Sequence, residues 1–195
     1  MQGPFSYGIV TLVIIITRRI NLAATFVFQE DNGAATGTPA KGTSRANATQ
    51  VNWKSIDDIA TLPTEAPIVF GNNSFTKYQF GKFTGTFNQI GSVKWSHTAG
   101  TLGSGLTIKG AVTSTYATPS ATTNAALTQD MTSIVAIDSG LDVLMSSVGP
   151  EGASPVNTIN SAGYTQYLAT QLQTTIAAAP GNTATVTFTL KYSEN

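Results

Sequence analysis

The sequence predicts a mainly β protein: an antiparallel β-sandwich, Ig-like or jelly-roll-like, with an extended N-terminal strand or arm. Three observations carry that expectation. Apolar residues alternate with polar ones at Leu106, Ile108, Gly110, Val112 and Tyr116, and again at Val186, Phe188, Leu190 and Tyr192. That is the period of a strand with one buried face. Turn clusters such as Gly71-Asn72-Asn73-Ser74 and Pro180-Gly181-Asn182 recur at short intervals. Helical periodicity is scarce, so the chain reads as about eight or more strands.

The first element is the most apolar. Residues 8–17 read GIVTLVIIIT and are followed by Arg18 and Arg19. The run is about half the roughly 20 apolar residues of a membrane-spanning helix. A signal peptide carries its positive charge before the apolar run, and here the order is inverted. The β-branched composition makes a strand. Ile9, Val13 and Ile15 fall on one face, and Val10, Leu12, Ile14 and Ile16 on the other, so both faces need cover. Three placements satisfy that need: a core strand, an arm that completes a neighbouring subunit, or an extension outside the main fold. On the arm reading, residues 1–30 form the arm and 31–195 the sandwich, with Ile9, Val10, Leu12, Val13, Ile14, Ile15 and Ile16 as its contact residues.

Residues 23–29 form a strand, and 31–50 have the composition of a loop or extended surface segment. Residues 51–61 admit one helical turn that points Trp53 and Ile56 to one side. In 77–90 a bulge near Gly81 would bring Phe80 and Phe83 to the same face. Val93, Trp95 and His97 alternate with Lys94 and Ser96. Residues 118–132 read as a long loop or short helix. Short strands are expected at 134–137 and 141–145, around Asp138-Ser139-Gly140, and a loop at 149–163. Residues 164–176 fit a helical stripe or a strand. The Thr174-Thr175 pair and the close turn favour a hairpin with the final strand. No internal repeat is present.

Composition narrows the function. Among 195 residues, Lys+Arg and Asp+Glu number 10 each, His 1 and Cys 0. With no cationic excess there is no electrostatic footprint for nucleic acid. Disulfides, cysteine zinc sites, cysteine nucleophiles and two-histidine chemistry are excluded. Only 10% of residues are charged, while Thr alone numbers 31. Near-zero net charge favours association.

No motif rises to an active site. Ile137-Asp138-Ser139-Gly140 has the form of an aspartic-protease loop, but a single copy needs a second subunit to supply the partner carboxyl. The retroviral type also needs a later arginine, and no arginine follows Arg45. His97 has no nucleophile elbow to serve and reads as structural or as an interface residue. Gly103-Ser104-Gly105 lacks phosphate-loop spacing and reads as a turn. Asp57, Asp58, Asp130, Asp138, Asp142 and Glu151 form no calcium-loop pattern. Asn47-Ala48-Thr49 and Asn72-Asn73-Ser74 match glycosylation sequons. Trp53, Trp95 and the tyrosines fit a core better than a sugar-binding face. No catalytic residue, cofactor or metal site is expected.

Residues 71–101 (GNNSFTKYQFGKFTGTFNQIGSVKWSHTAGT), 105–127 (GLTIKGAVTSTYATPSATTNAAL) and 164–195 (YTQYLATQLQTTIAAAPGNTATVTFTLKYSEN) resemble segments of bacteriophage virion structural proteins, of the capsid-decoration, cement or tail-associated kind. The resemblance is one of pattern and carries over no functional residue. It implies a non-enzymatic β-sandwich that sits on a virion as a homo-oligomer, often a trimer. The implied partners are its own copies and the major capsid or another virion protein. Neither nucleic acid nor a membrane span is implied. Two rival readings use the same residues. One is an extracellular, pilus-like filament subunit at the cell surface that donates its N-terminal strand. The other is a carbohydrate-binding module.

Overall fold

The structure, a computed structural model, describes residues 10–18, 23–178 and 185–195. Its strands are β1 (Val10–Arg18), β2 (Ala23–Thr36), β3 (Lys41–Asn47), β4 (Gln50–Val51), β5 (Lys77–Thr86), β6 (Ile90–Ala99) and β7 (Leu106–Thr113). They continue with β8 (Gln129–Asp130), β9 (Leu141–Asp142), β10 (Met145–Ser146), β11 (Thr158–Ile159), β12 (Gly163–Thr165), β13 (Tyr167–Thr174) and β14 (Thr187–Glu194). The first sheet runs β11-β6-β14-β1-β4, with β9 also on β6. The second runs β10-β12-β5-β13-β7-β8, and the β2–β3 hairpin joins it through β5. The sheets pack as a β-sandwich, the predicted class.

Alternation builds the core. Val186, Phe188, Leu190 and Tyr192 are buried, and Trp95 stacks on Phe188 with ring centroids 5.4 Å apart. Phe83 and Tyr192 meet edge-on at 4.9 Å. From the second sheet, Ile108, Leu168 and Leu172 close the same cluster. Each such side chain contributes about 1.5–3 kcal/mol through burial. A second cluster of Tyr78, Phe80, Tyr116, Leu127, Tyr167 and Ala169 covers the other face of the second sheet. That sheet is therefore buried on both faces, and β13 is buried at every position but Gln173. A strand covered on both sides has no clean period, which is why 164–176 fits two patterns.

Several expectations are corrected. β13 pairs with β5 and β7 in the second sheet, while β14 lies in the first, so the two make no hairpin. Both flanks of β13 are already occupied. The Pro180-Gly181-Asn182 turn lies outside the described residues. No bulge interrupts β5 opposite β2: the register runs unbroken from Ala23↔Thr86 to Asp31↔Tyr78. Phe80 and Phe83 accordingly belong to opposite clusters. Gly81 is there because the Phe26 ring fills the space a side chain would take. Residues 31–50 are a hairpin with a turn at 37–40. Its cross-strand bond is ionic, so apolar periodicity does not reveal it. No helical turn forms at 51–61, and 134–137 is not a strand; Ile134 and Val135 are exposed there.

β1 lies beside β14 and runs parallel to it, from Thr11↔Thr187 to Arg18↔Glu194. It is a parallel pair in an otherwise antiparallel fold. Leu12, Ile14 and Ile16 stand in register with the buried Phe188, Leu190 and Tyr192, and Val13 and Ile15 with Thr189 and Lys191. On its other side β1 meets β4 through Val10 and Thr11 alone. Among the described residues, the edge of β1 from Leu12 to Arg18 has no further strand partner. Ile9 lies outside the described residues. β2 runs continuously across position 30.

Candidate functional site

The polar chemistry concentrates where β2, β3 and β5 meet. Glu30 and Asp31 are consecutive, and strand alternation sends them to opposite faces of the second sheet. Both are buried.

On the outer face, Asp31 accepts two bonds from Arg45, at 2.7 Å from Nε and 2.8 Å from Nη2. It also accepts the Tyr167 hydroxyl at 2.6 Å. Glu151 adds a second carboxylate 3.1 Å from Arg45, and the guanidinium lies 4.7 Å from the Phe80 ring centroid. Burial and the adjoining carboxylates push the Tyr167 hydroxyl well above its usual range. Burial alone would lower the Arg45 guanidinium, but Asp31 and Glu151 outweigh it and hold the charge. Every partner here is satisfied and planar recognition is complete. The arrangement is a fixed structural ion pair.

On the inner face, Glu30 Oε1 accepts Lys77 Nζ at 3.1 Å, and Oε2 accepts Gln79 Nε2 at 2.9 Å. The Asn32 amide, oriented by its hydrogen-bond partners, donates to Glu30 Oε1 at 2.9 Å and to Asp57 Oδ1 at 3.0 Å. Asp57 Oδ2 accepts the Gly33 N–H at 2.6 Å. Burial pushes the Asp57 carboxyl above its ordinary value, against the opposing Gly33 bond. Burial acts upward on Asp58 too, but bonds from Lys54 and Thr61 outweigh it and bring that carboxyl down to about 2. An amine, two carboxamides and two carboxyl groups thus meet, Asp57 half-buried and the others buried. The sequence reading did not single out Glu30, Asn32 or Lys77. The available signal was charge within strand-forming, aromatic sequence: Glu30 follows Phe26 and Phe28, and Lys77 precedes Tyr78 and Phe80 in a charge-poor chain.

The other candidates resolve individually. His97 is buried, with its ring nitrogens 3.0 Å from Met131 O and 2.8 Å from Ala99 O, so it ties β6 to a neighbouring loop. Asp138 is exposed in a short 3₁₀ turn and pairs with Lys191. Gly103-Ser104-Gly105 is the turn before β7. Among the described residues no cluster of three or more acidic or histidine side chains is placed to hold a metal ion. Asn47 and Asn72 are exposed. Trp53 and Trp95 are buried in the core, so neither forms an exposed sugar platform. No helix among the described residues is long and apolar enough to cross a membrane. No family model, curated protein or solved structure matches the chain.

Proposed function

We propose that this chain is a non-enzymatic structural subunit that self-assembles and decorates or cements a phage particle. The observation that carries the reading is where the charge goes. Arg45, Lys54, Lys77, Lys94, Lys109 and Lys191 are all spent on carboxylates of the same chain. Three of these pairs, to Asp142, Asp130 and Asp138, lie at the surface, where Leu62, Val69, Ile134, Val148 and Ile176 are also exposed. A surface with so little unspent charge resists association weakly.

Two features of the first sheet support the same reading. An apolar groove of about 550 Å³ lies beside β14, between Ile134, Val135 and Ile137 on one side and Thr187 and Thr189 on the other. The long edge of β1 offers backbone donors and acceptors to an added strand. That edge equally serves head-to-tail polymerisation, the filament reading.

Symmetry separates the two. Electron microscopy and mass photometry of the full chain, over a range of concentrations, read it directly. A trimer or other closed ring supports the virion subunit, open filaments support the pilus-like one, and a monomer throughout overturns both. A chain lacking residues 1–22 that folds but no longer assembles assigns the contact to the arm. If the truncated chain fails to fold, β1 is a core strand.

A further inference from the structure

We propose that Lys77 and Asn32 join in an intramolecular isopeptide bond, Lys77 Nζ to Asn32 Cγ, with release of ammonia. The inference rests on the inner cluster and is independent of how the subunits assemble.

The backbone puts the reactants together. Asp31 stands opposite Tyr78, so Asn32 and Lys77 are the next opposed positions at the end of the β2–β5 ladder. Opposed positions on neighbouring strands share a face, within side-chain reach of each other. Both residues are buried, at 4% and 1% exposure. Lys77 Nζ and the Asn32 amide nitrogen bind the same oxygen, Glu30 Oε1. Lys77 Nζ also donates to the Asp58 carbonyl at 3.0 Å; the buried lysine beside it, Lys54, binds Asp58 and the Thr61 carbonyl instead, so Lys77 is the lysine that shares a carboxylate with Asn32. Thr170 stands opposite Lys77, Trp53 donates to Thr170, and Gln79 donates to Glu30, and all three are buried.

The step balances without a cofactor. Lys77 Nζ gives one proton to Glu30 and adds its lone pair to Asn32 Cγ. Glu30 passes that proton to Nδ2, which it already binds, and the Cγ–Nδ2 bond breaks; Nζ then gives its second proton to Glu30, which hands it to the departing ammonia, so that ammonium leaves and Glu30 ends as a carboxylate. An amine and a carboxamide become a secondary amide and ammonia, with no change of oxidation state. Asp57 suits the acid role because burial favours its protonated form. Its bond from the Gly33 N–H also engages the backbone nitrogen that would otherwise close on Asn32.

Mass spectrometry of the purified full chain tests the proposal. The intact mass is expected about 17 Da below that of the sequence, one ammonia lost. Trypsin should leave Lys77 uncut and release a branched peptide joining residues 20–41 to 55–82. Lys77→Arg keeps a cation beside Glu30 and should restore the full mass. Glu30→Gln keeps both reactants and should leave them unjoined. Full mass in the wild type, with separate 55–77 and 78–82 peptides, overturns the proposal. So does loss of ammonia without the branch, which is the mark of Asn32 closing on the Gly33 nitrogen.

Discussion

Glu30 and Asp31 differ by one methylene and one position, yet they sit in opposite kinds of site. Asp31 is held by a bidentate guanidinium and a phenol, with every bond short and directed. Glu30 faces a lysine and two carboxamides. A guanidinium cannot act as a nucleophile in a protein, whereas a lysine amine can once a neighbour takes its proton. The outer cluster therefore locks and the inner one can react. What differs is the partner that each face of β2 supplies, since both carboxylates are buried to a similar degree.

The largest expected effect tests the lock. Asp31→Ala leaves Arg45 with only the Glu151 carboxylate to pair with and the Tyr167 hydroxyl with only a long 3.5 Å contact to Glu151. Removing one member of a buried pair costs about 3–5 kcal/mol, which urea denaturation reads as a lower midpoint at unchanged slope. The same variant should leave the intact mass at its substituted-sequence offset from wild type. An Asp31 variant that altered the Lys77 linkage would break the distinction between the two faces. Tyr167→Phe removes one hydrogen bond to a charged acceptor and keeps the ring packing against Tyr78 and Phe80. Its expected cost is about 1.5–3 kcal/mol by the same measurement.

How much of this was legible in the sequence depends on how a residue is buried. β7 and β14 each have one core-facing side, so their alternation shows in the residue types, and β14 is buried at each even position from 188 to 194. β13 has apolar cover on both faces, so its period vanishes. The β2–β3 hairpin is held by Asp31 and Arg45, a long-range contact between polar residues in a segment that looks like a loop. Glu30, Asn32, Asp57 and Lys77 come from three separate stretches; the β2–β5 register brings Glu30 and Asn32 to Lys77, and bonds from Gly33 and Asn32 hold Asp57 beside them. No local pattern encodes that register. The wrong expectation of a bulge at Gly81 came from assuming a single aromatic core, where the chain builds two.

Acid titration sharpens the inner site next. Asp58 has a folded value of about 2 against 3.8 for the free group. A depressed carboxylate contributes stability that is complete above 3.8 and is lost as pH falls through about 2. Asp57 is raised, so its contribution is present at low pH and is lost as pH rises through its folded value. The neighbours act against each other. Relative to wild type, Asp58→Asn should flatten the decline in stability between pH 4 and pH 2, and Asp57→Asn should remove a gain in stability that builds as pH falls toward 3.8. Denaturation midpoints from pH 7 to pH 2 decide it; shifts in the same direction for both variants would contradict the opposed environments.

The smallest effect belongs to the surface. Lys191 pairs with Asp138 across the outer face of the first sheet, with side chains 31% and 76% exposed. Water already screens both groups, and ordering two mobile side chains offsets much of the attraction. Lys191→Ala should change stability by about 0–1 kcal/mol, and the difference should fade as salt is raised. The same substitution subtracts a cation from the sheet that carries the apolar groove and the β1 edge. If unspent charge is what keeps these surfaces apart, freeing Asp138 should weaken self-association measured by mass photometry while the unfolding midpoint barely moves. A large loss of stability would instead make this exposed pair equivalent to the one at Asp31, and the contrast between buried and surface charge would fail.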